Sequence, residues 1–313
     1  MLNSHPTLAV IDLGTNTFHL LIGRFGLNQI EEIYQHQLPV KIGQGGINKG
    51  FITNEAWQRA IQALAIFAEK VKEFEVTKIL ATGTSAIRNA NNGEAFLQEI
   101  RQRFGFNIKK IEGNQEAELI YKGVFYSFTL PKEPIWVMDI GGGSVEFILG
   151  QEKEIIWKKS FEIGAARLID KFKFSEPITQ LEIQQLEIYF ETTLEEVWHE
   201  QAKHQVNWFA GSAGSFDTLR EILENDLNET LQGISKHAQE VSNDQVIKFS
   251  NYIIQSTQYQ RQQMKGLPDF RIDMIVAATA LMNFVIKRLG SNRIIASHYA
   301  LKEGLLASFN DLQ

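Results

Sequence analysis

Short apolar runs alternate with polar breaks along the chain, and two of these breaks have the same design. The first, Asp12-Leu13-Gly14-Thr15-Asn16-Thr17, lies between apolar runs at residues 8–11 and 18–22. The second, Asp139-Ile140-Gly141-Gly142-Gly143-Ser144, also has an apolar run on each side. This pattern predicts two β-hairpins, each with an acid and glycines at its tip.

The rest of the pattern predicts an α/β fold with a mixed sheet in each half. Thr53 is a typical N-cap, and apolar side chains at helical spacing predict a helix over 54–74. Further helices are predicted over 93–104, from about 115 and over 301–309, and strands within 8–42 and over 78–81, 107–111, 135–140, 145–149, 154–163 and 207–210. A break at 129–134 with two prolines predicts a domain junction, and the residues after 215 are predicted to be mainly helical.

Composition excludes several classes of protein. The chain has 313 residues, of which 44% are hydrophobic and 22% charged, as in a globular protein. No apolar run approaches the roughly 20 residues of a membrane span, and residues 1–6 lack signal-peptide features, so we expect a cytoplasmic protein without a membrane partner. The net charge of −6 argues against binding of nucleic-acid polymers. Without cysteine, a disulfide or thiolate metal site is impossible.

The two glycine turns indicate phosphate chemistry. Glycine lets backbone N–H groups approach an anion closely, and successive N–H groups in a turn form a concavity for phosphate oxygens. Asp12, at the end of the first strand, is placed to hold a metal ion or its water shell. Either turn alone is equally well explained as an ordinary turn. Two copies suggest a duplicated domain that closes on a phosphate from both sides.

Four further side chains are candidates for chemistry. Asp139 and Glu146 flank the second glycine turn, where a turn-capping acid and an edge-strand acid are the plain alternatives. Glu116 follows the turn at Gly113, and a carboxylate in a first helical turn is also explained by the helix dipole. Arg88 follows Thr82-Gly83-Thr84-Ser85 and has the planar fork that binds phosphate, although a lone arginine is more often salt-bridged. Neither a P-loop nor a dinucleotide fingerprint is present.

Together, these stretches resemble the exopolyphosphatase/guanosine pentaphosphate phosphohydrolase family, within the actin-like, sugar-kinase and Hsp70 ATPase superfamily. The resemblance covers nearly the whole chain and is closest to the short, two-domain members. The stretches that carry it are Asp12 to His19, Ala81 to Arg88, Gly113-Asn-Gln-Glu-Ala117, Asp139 to Glu146, Gly164-Ala-Ala-Arg167, Gly211-Ser-Ala-Gly214, Gly266 to Asp273 and Tyr299-Ala-Leu-Lys-Glu-Gly304.

The resemblance implies two ribonuclease-H-like domains with mixed sheets flanking a cleft. The expected domains are residues 1–125 plus 300–313 and residues 126–299. Mg²⁺ is the expected cofactor, and a homodimer is possible because family members are often dimers. The implied catalytic residues are Glu116 and Arg88; the implied phosphate-binding residues are Gly14, Thr15, Asn16, Arg88, Gly141, Gly142, Gly143, Ser144, Gly211 and Ser212; the implied metal-binding residues are Asp12, Asp139 and Glu146.

The implied activity is release of the terminal phosphate of inorganic polyphosphate, with Glu116 as general base. Removal of the 5′-phosphate from guanosine pentaphosphate (pppGpp) is the alternative, and a longer polyphosphate would use additional cations, for which Arg167, Arg261, Lys265 and Arg271 are candidates. An ATP-dependent kinase or ATPase fits these stretches less well. A non-catalytic polyphosphate or alarmone sensor is favoured only by Gln115, where the family usually has a second glutamate. The loss of that glutamate's negative charge predicts altered metal affinity or an altered pKa of Glu116.

Overall fold

A computed structural model describes residues 6–26, 29–76 and 78–309. The strands are β1 Leu8–Leu13, β2 Thr17–Gly26, β3 Gln29–Pro39, β4 Lys78–Gly83, β5 Ile108–Lys110, β6 Ile135–Ile140, β7 Val145–Gln151, β8 Glu154–Phe161, β9 Trp208–Ser212, β10 Gln232–Ser235, β11 Ala238–Val241 and β12 Arg293–Ser297. The helices are α1 Asn54–Glu73, α2 Ser85–Arg88, α3 Gly93–Phe104, α4 Gly113–Ser127, α5 Ala165–Phe172, α6 Gln180–Thr193, α7 Glu195–Lys203, α8 Ala213–Asn225, α9 Asn243–Ile254, α10 Gln258–Arg261, α11 Ile275–Leu289 and α12 Leu301–Ala307. No helix in these ranges is both long and apolar enough to cross a bilayer.

The first sheet has the order β3-β2-β1-β4-β5. Its first three strands are antiparallel neighbours, whereas β4 and β5 run parallel to β1. The sheet is therefore mixed, as predicted. The register places Asp12 at the end of β1, opposite His19 on β2 and Thr82 on β4.

The second sheet repeats this topology. In its order β10-β11-β12-β9-β6-β7-β8, the last five strands have the order and directions of the first sheet, and the β10–β11 hairpin is an addition. Asp139 lies at the end of β6, opposite Glu146 on β7 and beside Ser212 on β9. The half-against-half repeat inferred from the two glycine turns is confirmed, because both turns connect the same two strands of one topology.

We call β1–β5 with α1–α3 the first lobe, and β6–β12 with α5–α11 the second lobe. Each lobe has its own apolar core. Helices α4 and α12 lie between the sheets, because Ile120 of α4 packs with Val137 and Ile148 of the second sheet while Leu306 of α12 packs with Val10 of the first. The expected domain bounds therefore stay a prediction, and residues 1–5 and 310–313 within them lie outside the described residues.

The local predictions agree with the structure except in the last third of the chain. The Thr53 hydroxyl accepts a hydrogen bond from the Ala56 N–H and caps α1 as expected. The prediction of a mainly helical remainder after residue 215 is wrong for β10, β11 and β12. These strands have only four or five residues each, and β12 is held by pairing with β9, which lies about 80 residues earlier in the chain. Such pairing leaves little local signal.

Helices α4 and α12 touch through glycines. A Cβ at Gly304 would lie 1.7 Å from the Leu119 carbonyl oxygen, and one at Gly123 would lie 2.0 Å from that of Ala300. Both distances are far inside van der Waals contact. The close approach brings the residues of α12 against the first sheet and those of α4 against the second.

We expect Gly304→Ala to lower stability although alanine is the better helix former by roughly 1 kcal/mol. The added methyl group must push α12 away from α4, and overpacking of this kind typically costs about 1–3 kcal/mol. Urea unfolding of the purified protein measures the effect. Gly233→Ala is the matched control, since a Cβ there meets nothing within 4 Å. Equal stability of the two variants would contradict the close packing of α4 on α12.

Candidate active site

The two glycine turns face each other across a cleft of about 1820 Å³. Both have the same local structure, with Gly14 N–H donating to the Thr17 carbonyl at 3.1 Å and Gly141 N–H to that of Ser144 at 3.0 Å. A Cβ at Gly143 would lie 2.5 Å from Thr15 Oγ1. Glycine at 143 therefore lets the two lobes come close at this point, and Gly14, Thr15, Asn16 and Gly141 to Ser144 all line the cleft.

The four candidate acids, Asp12, Glu116, Asp139 and Glu146, are buried or partly buried and are among the carboxylates that line the same cleft. Burial raises the pKa of each one, and their mutual repulsion adds to the effect for Asp12, Asp139 and Glu146. The structure thus brings together the acids that the sequence placed about 130 residues apart. Such a concentration of buried, shifted carboxylates is characteristic of functional sites.

Glu116 lies in the first turn of α4 and faces the cleft, with 7% of its surface exposed. Its Oε2 accepts a hydrogen bond from Arg88 Nη1 at 2.9 Å. Burial raises the pKa of Glu116, and Arg88 opposes that rise. The outcome is a carboxylate held in one orientation, with one oxygen fixed by the guanidinium.

Serine hydroxyls hold the second-lobe acids. Ser212 Oγ donates to Asp139 Oδ2 at 3.0 Å, and Ser160 Oγ donates to Glu146 Oε1 at 2.6 Å. Burial raises the pKa of Asp139 to about 7, although the Ser212 bond opposes this. Burial also raises the pKa of Glu146 well above its ordinary value, with repulsion from Glu116 and Asp139 adding to it.

His19 occupies in the first lobe the register position that Glu146 occupies in the second. Burial, together with the positive charges of Lys302 and Arg271, lowers the pKa of His19 to about 3. The imidazole is therefore neutral at physiological pH. The repeat is symmetric in topology but not in charge. The paired positions hold two acids in the second lobe, Asp139 and Glu146, but one acid and a neutral histidine in the first.

The structure places Arg88 behind Glu116, outside the lining of the cleft. Its side chain is 8% exposed and is held on three sides, by Glu116, by the Ile111 carbonyl at 3.1 Å and by Glu162 Oε1 at 3.0 Å. In this arrangement Arg88 positions Glu116. Its predicted contact with phosphate stays a prediction, which requires Glu162 to move.

Gly211 and Ser212 are also placed away from the cleft lining. A Cβ at Gly211 would lie 2.1 Å from the Phe216 ring, so this glycine makes room for core packing. The Ser212 hydroxyl is used by Asp139. Their predicted phosphate contacts stay a prediction; in the structure Gly211 makes room for Phe216 and Ser212 supports Asp139.

Among the four candidate cations, only Arg271 lines the cleft, where it donates to the Gly214 carbonyl and to Thr218 Oγ1. Arg167 lies beside the second glycine turn and donates to the Gly143 carbonyl at 2.8 Å. The expectation is wrong for Arg261, because its buried guanidinium is held by Ser256 and Glu176 in the second lobe. Lys265 is exposed and is not among the lining residues.

Two functional candidates had no role in the sequence-based prediction. Lys302 lines the cleft, its Nζ lies 2.7 Å from Glu303 Oε1, and its charge lowers the pKa of Asp12 and Asp139. It stands within a stretch that carries the family resemblance, which was the available signal. Glu162 contacts Arg88 and Arg167 but lies outside those stretches.

Gln115, where the family usually has a second glutamate, lies outside the cleft lining. The Gln115 side chain is exposed and its Oε1 accepts a hydrogen bond from the Glu112 N–H, which completes a capping box at the start of α4. Only Glu116 of this pair lines the cleft. The expected effect of Gln115 on metal affinity or on the pKa of Glu116 would therefore have to act without a direct contact between Gln115 and the cleft.

The donor set fits Mg²⁺. Asp12 Oδ1 is buried and has no hydrogen-bond partner among the described residues, so an acceptor oxygen is left for a cation. Within the same residues no group of three or more His, Asp or Glu side chains forms a ready-made metal site. Mg²⁺ does not need one, since it is usually bound by one or two carboxylates together with water and substrate phosphate oxygens.

The raised pKa of Asp139 predicts a stability that depends on pH. In the folded protein this pKa rises from 3.8 to about 7, so the folded state keeps a proton that the unfolded state releases between these values. The contribution of Asp139 to stability therefore falls as pH rises from about 4 to about 7. We expect Asp139→Asn to raise Tm at pH 8 without metal, and to leave it nearly unchanged at pH 4.

Thermal unfolding in the presence of a chelator, measured from pH 4 to pH 8, tests this prediction. The exposed Asp244, in the first turn of α9, supplies the control Asp244→Asn, which should not stabilise at any pH. An Asp139→Asn protein that is less stable than wild type at pH 8 would show that the carboxylate is not destabilising when charged.

Comparison with known proteins agrees with this geometry. A crystal structure of an exopolyphosphatase from Cytophaga hutchinsonii has a TM-score of 0.93 and 36% sequence identity, over 97% of this chain and 98% of that one. An Aquifex aeolicus PPX-GPPA enzyme has a TM-score of 0.79 and 26% identity, over 97% and 99%. The chain is also 27% identical over 308 residues to a guanosine-5'-triphosphate,3'-diphosphate pyrophosphatase from Aliivibrio fischeri, of whose length it spans 58%.

The fold comparison confirms the predicted class, two lobes with mixed sheets around a cleft, as in the solved Ppx/GppA structures. The model of the Ppx/GppA phosphatase family matches residues 23–312. Kinases and chaperone-type ATPases of the wider superfamily are thereby set aside. The chain belongs to the Ppx/GppA phosphatase family.

Proposed function

We propose that the protein is an exopolyphosphatase, which hydrolyses the terminal phosphoanhydride of inorganic polyphosphate and releases orthophosphate. The observation that carries the proposal is the buried Glu116, which faces a cleft closed on both sides by glycine turns. The 36% identity to the Cytophaga hutchinsonii exopolyphosphatase supports it. A site that only binds phosphate has no need for the buried carboxylate of Glu116.

In the proposed mechanism, Glu116 orients a water molecule and takes its proton as the oxygen attacks the terminal phosphorus in line with the leaving chain. A raised pKa suits this task, because a base whose pKa lies nearer to neutral accepts a proton more readily in the transition state. Arg88 fixes one oxygen of Glu116 and leaves the other for the water. N–H groups of both turns stabilise the charge on the equatorial oxygens.

Asp12, Asp139 and Glu146 are the residues proposed to hold Mg²⁺. When bound, the ion neutralises charge on the phosphate oxygens. Lys302 balances part of the negative charge that these acids bring to the cleft. The serines on Asp139 and Glu146 keep the two carboxylates oriented for their ligand.

A second candidate activity is removal of the 5′-phosphate from pppGpp, favoured by the similarity to the Aliivibrio fischeri enzyme. The cleft volume of about 1820 Å³ is large enough for a nucleotide. Phosphate release from short polyphosphate, long polyphosphate, pppGpp and ATP, compared as kcat/KM, distinguishes the candidates. Absence of phosphate release from all four compounds would favour a non-catalytic sensor of polyphosphate or an alarmone.

We expect Glu116→Gln to reduce kcat by about 10²–10⁴, because amide nitrogen and oxygen cannot take the proton from water. The control is Gln115→Glu, which restores the usual acid pair at the exposed neighbouring position and should keep wild-type activity. Steady-state phosphate release at saturating Mg²⁺ measures both. Wild-type kcat in Glu116→Gln would remove Glu116 as general base.

Asp12→Asn is expected to raise the Mg²⁺ concentration at half-maximal activity by about 10- to 100-fold, a loss seen even for groups that only support metal ligands. The reason is Asp12 Oδ1, which has no hydrogen-bond partner within residues 6–26, 29–76 and 78–309 and which the amide replaces with a weaker ligand or a donor. Mg²⁺ titrations of phosphate release, beside the Asp244→Asn control, measure it. An unchanged half-saturation point would contradict a role for Asp12 in metal binding.

A further inference from the structure

Four side chains outside the cleft lining converge on the carboxylate of Glu162, and Asn89 is one of them. Arg88 Nη2 lies 3.0 Å from Oε1, while Arg167 Nη2 and Ser85 Oγ lie 2.7 Å and 2.6 Å from Oε2. Two guanidinium groups and a hydroxyl form the kind of donor set that proteins use for phosphate. In this structure the donors bind Glu162, a carboxylate of the protein itself.

The donors come from both lobes. Ser85 and Arg88 follow β4 of the first lobe, whereas Glu162 and Arg167 follow β8 of the second. Arg167 also reaches across to the Ile47 carbonyl at 3.0 Å. The carboxylate of Glu162 therefore links the two sides of the cleft, at the end where the glycine turns meet.

Of the two carboxylates on Arg88, Glu162 is the one that can be displaced. Its side chain is 42% exposed, compared with 9% for Glu116. It also stands in the short connection between β8 and α5, while Glu116 is fixed within α4. An anion from solvent reaches the Glu162 position first.

The same donors lie directly against the second glycine turn. Arg167 Nε donates to the Gly143 carbonyl at 2.8 Å, and a Cβ at Gly143 would lie 2.6 Å from Ser85 Oγ. A phosphate chain held by the N–H groups of this turn has its neighbouring phosphate within reach of Ser85 and Arg167. The site is thus continuous with the second glycine turn, whose N–H groups are proposed to bind phosphate.

We propose that Ser85, Arg88 and Arg167 form a phosphate subsite that Glu162 occupies as an internal competitor, and that an incoming phosphate group displaces. This inference rests on the proposed function, because the displacing group is a phosphate of the substrate. Phosphate carries more charge than a carboxylate and offers more acceptor oxygens to two arginines. Displacement frees Arg88 Nη2 while Nη1 keeps its bond to Glu116.

The test is binding of inorganic phosphate, measured by titration calorimetry at fixed ionic strength, which needs no turnover. Glu162→Gln keeps the size of the side chain but removes the charge that competes, so its Kd for phosphate should fall by about tenfold, equal to roughly 1.4 kcal/mol. Glu191→Gln is the matched control: Glu191 is a half-exposed acid paired with Arg288, and its loss changes the net charge equally. The control should bind phosphate as wild type does.

Arg167→Gln in the Glu162→Gln background identifies the site, because the gain in affinity should disappear with this donor. With substrate, Glu162→Gln should lower KM. Unchanged or weaker phosphate binding by Glu162→Gln, in a protein with wild-type Tm, would overturn the proposal. Should that variant fail to fold, Glu162→Asp, which withdraws the carboxylate by one methylene, must show the same direction of change. Failure of the proposed function would appear instead as absence of turnover on every substrate, with phosphate binding unaffected.

Discussion

Asp12, Glu116, Asp139 and Glu146 share one opening, and the cost of burying their negative charges together is the constraint on which the surrounding structure depends. Burial raises the pKa of all four carboxylates. Four neighbouring groups reduce that cost: Arg88 at Glu116, Ser212 at Asp139, Ser160 at Glu146, and Lys302 at Asp12 and Asp139. The proposed divalent cation would reduce it further, since a ligand that binds only the folded state stabilises it.

The duplicated topology explains how so many groups meet. In each lobe the strand order puts an aspartate at the end of the central strand, a glycine turn beyond it and a hydroxyl residue on the parallel neighbour, Thr82 or Ser212. Because the topology is the same, the two turns present the same backbone structure to the cleft. The side chains then diverge, with neutral His19 matching Glu146, so that the second lobe supplies two of the four acids and the first lobe supplies one.

Short-range sequence patterns predicted the features that depend on neighbouring residues in the chain. The Thr53 cap, the two glycine turns and the strands around Asp12 and Asp139 follow from short-range patterns, and the structure has them. The strand β12 was missed because its pairing with β9 is non-local. Contacts between lobes were missed for the same reason: nothing near Glu162 in the chain points to Ser85, which is 77 residues away. The resemblance to a family placed Arg88 at the site, but its burial behind Glu116 depends on side-chain packing alone.

The positions of Gln115 and Glu162 show why charge must be judged by contact and not by sequence distance. Gln115 is adjacent to the proposed base, yet its side chain caps the start of α4 outside the cleft. Glu162 is 46 residues from Glu116 in the chain, yet both carboxylates bind the same guanidinium through different nitrogens. A change at position 162 therefore alters the electrostatic environment of Glu116 through Arg88, whereas a change at 115 has only the helix cap to act on. The residues that affect the charge of Glu116 most directly are those bonded to the same guanidinium, that of Arg88.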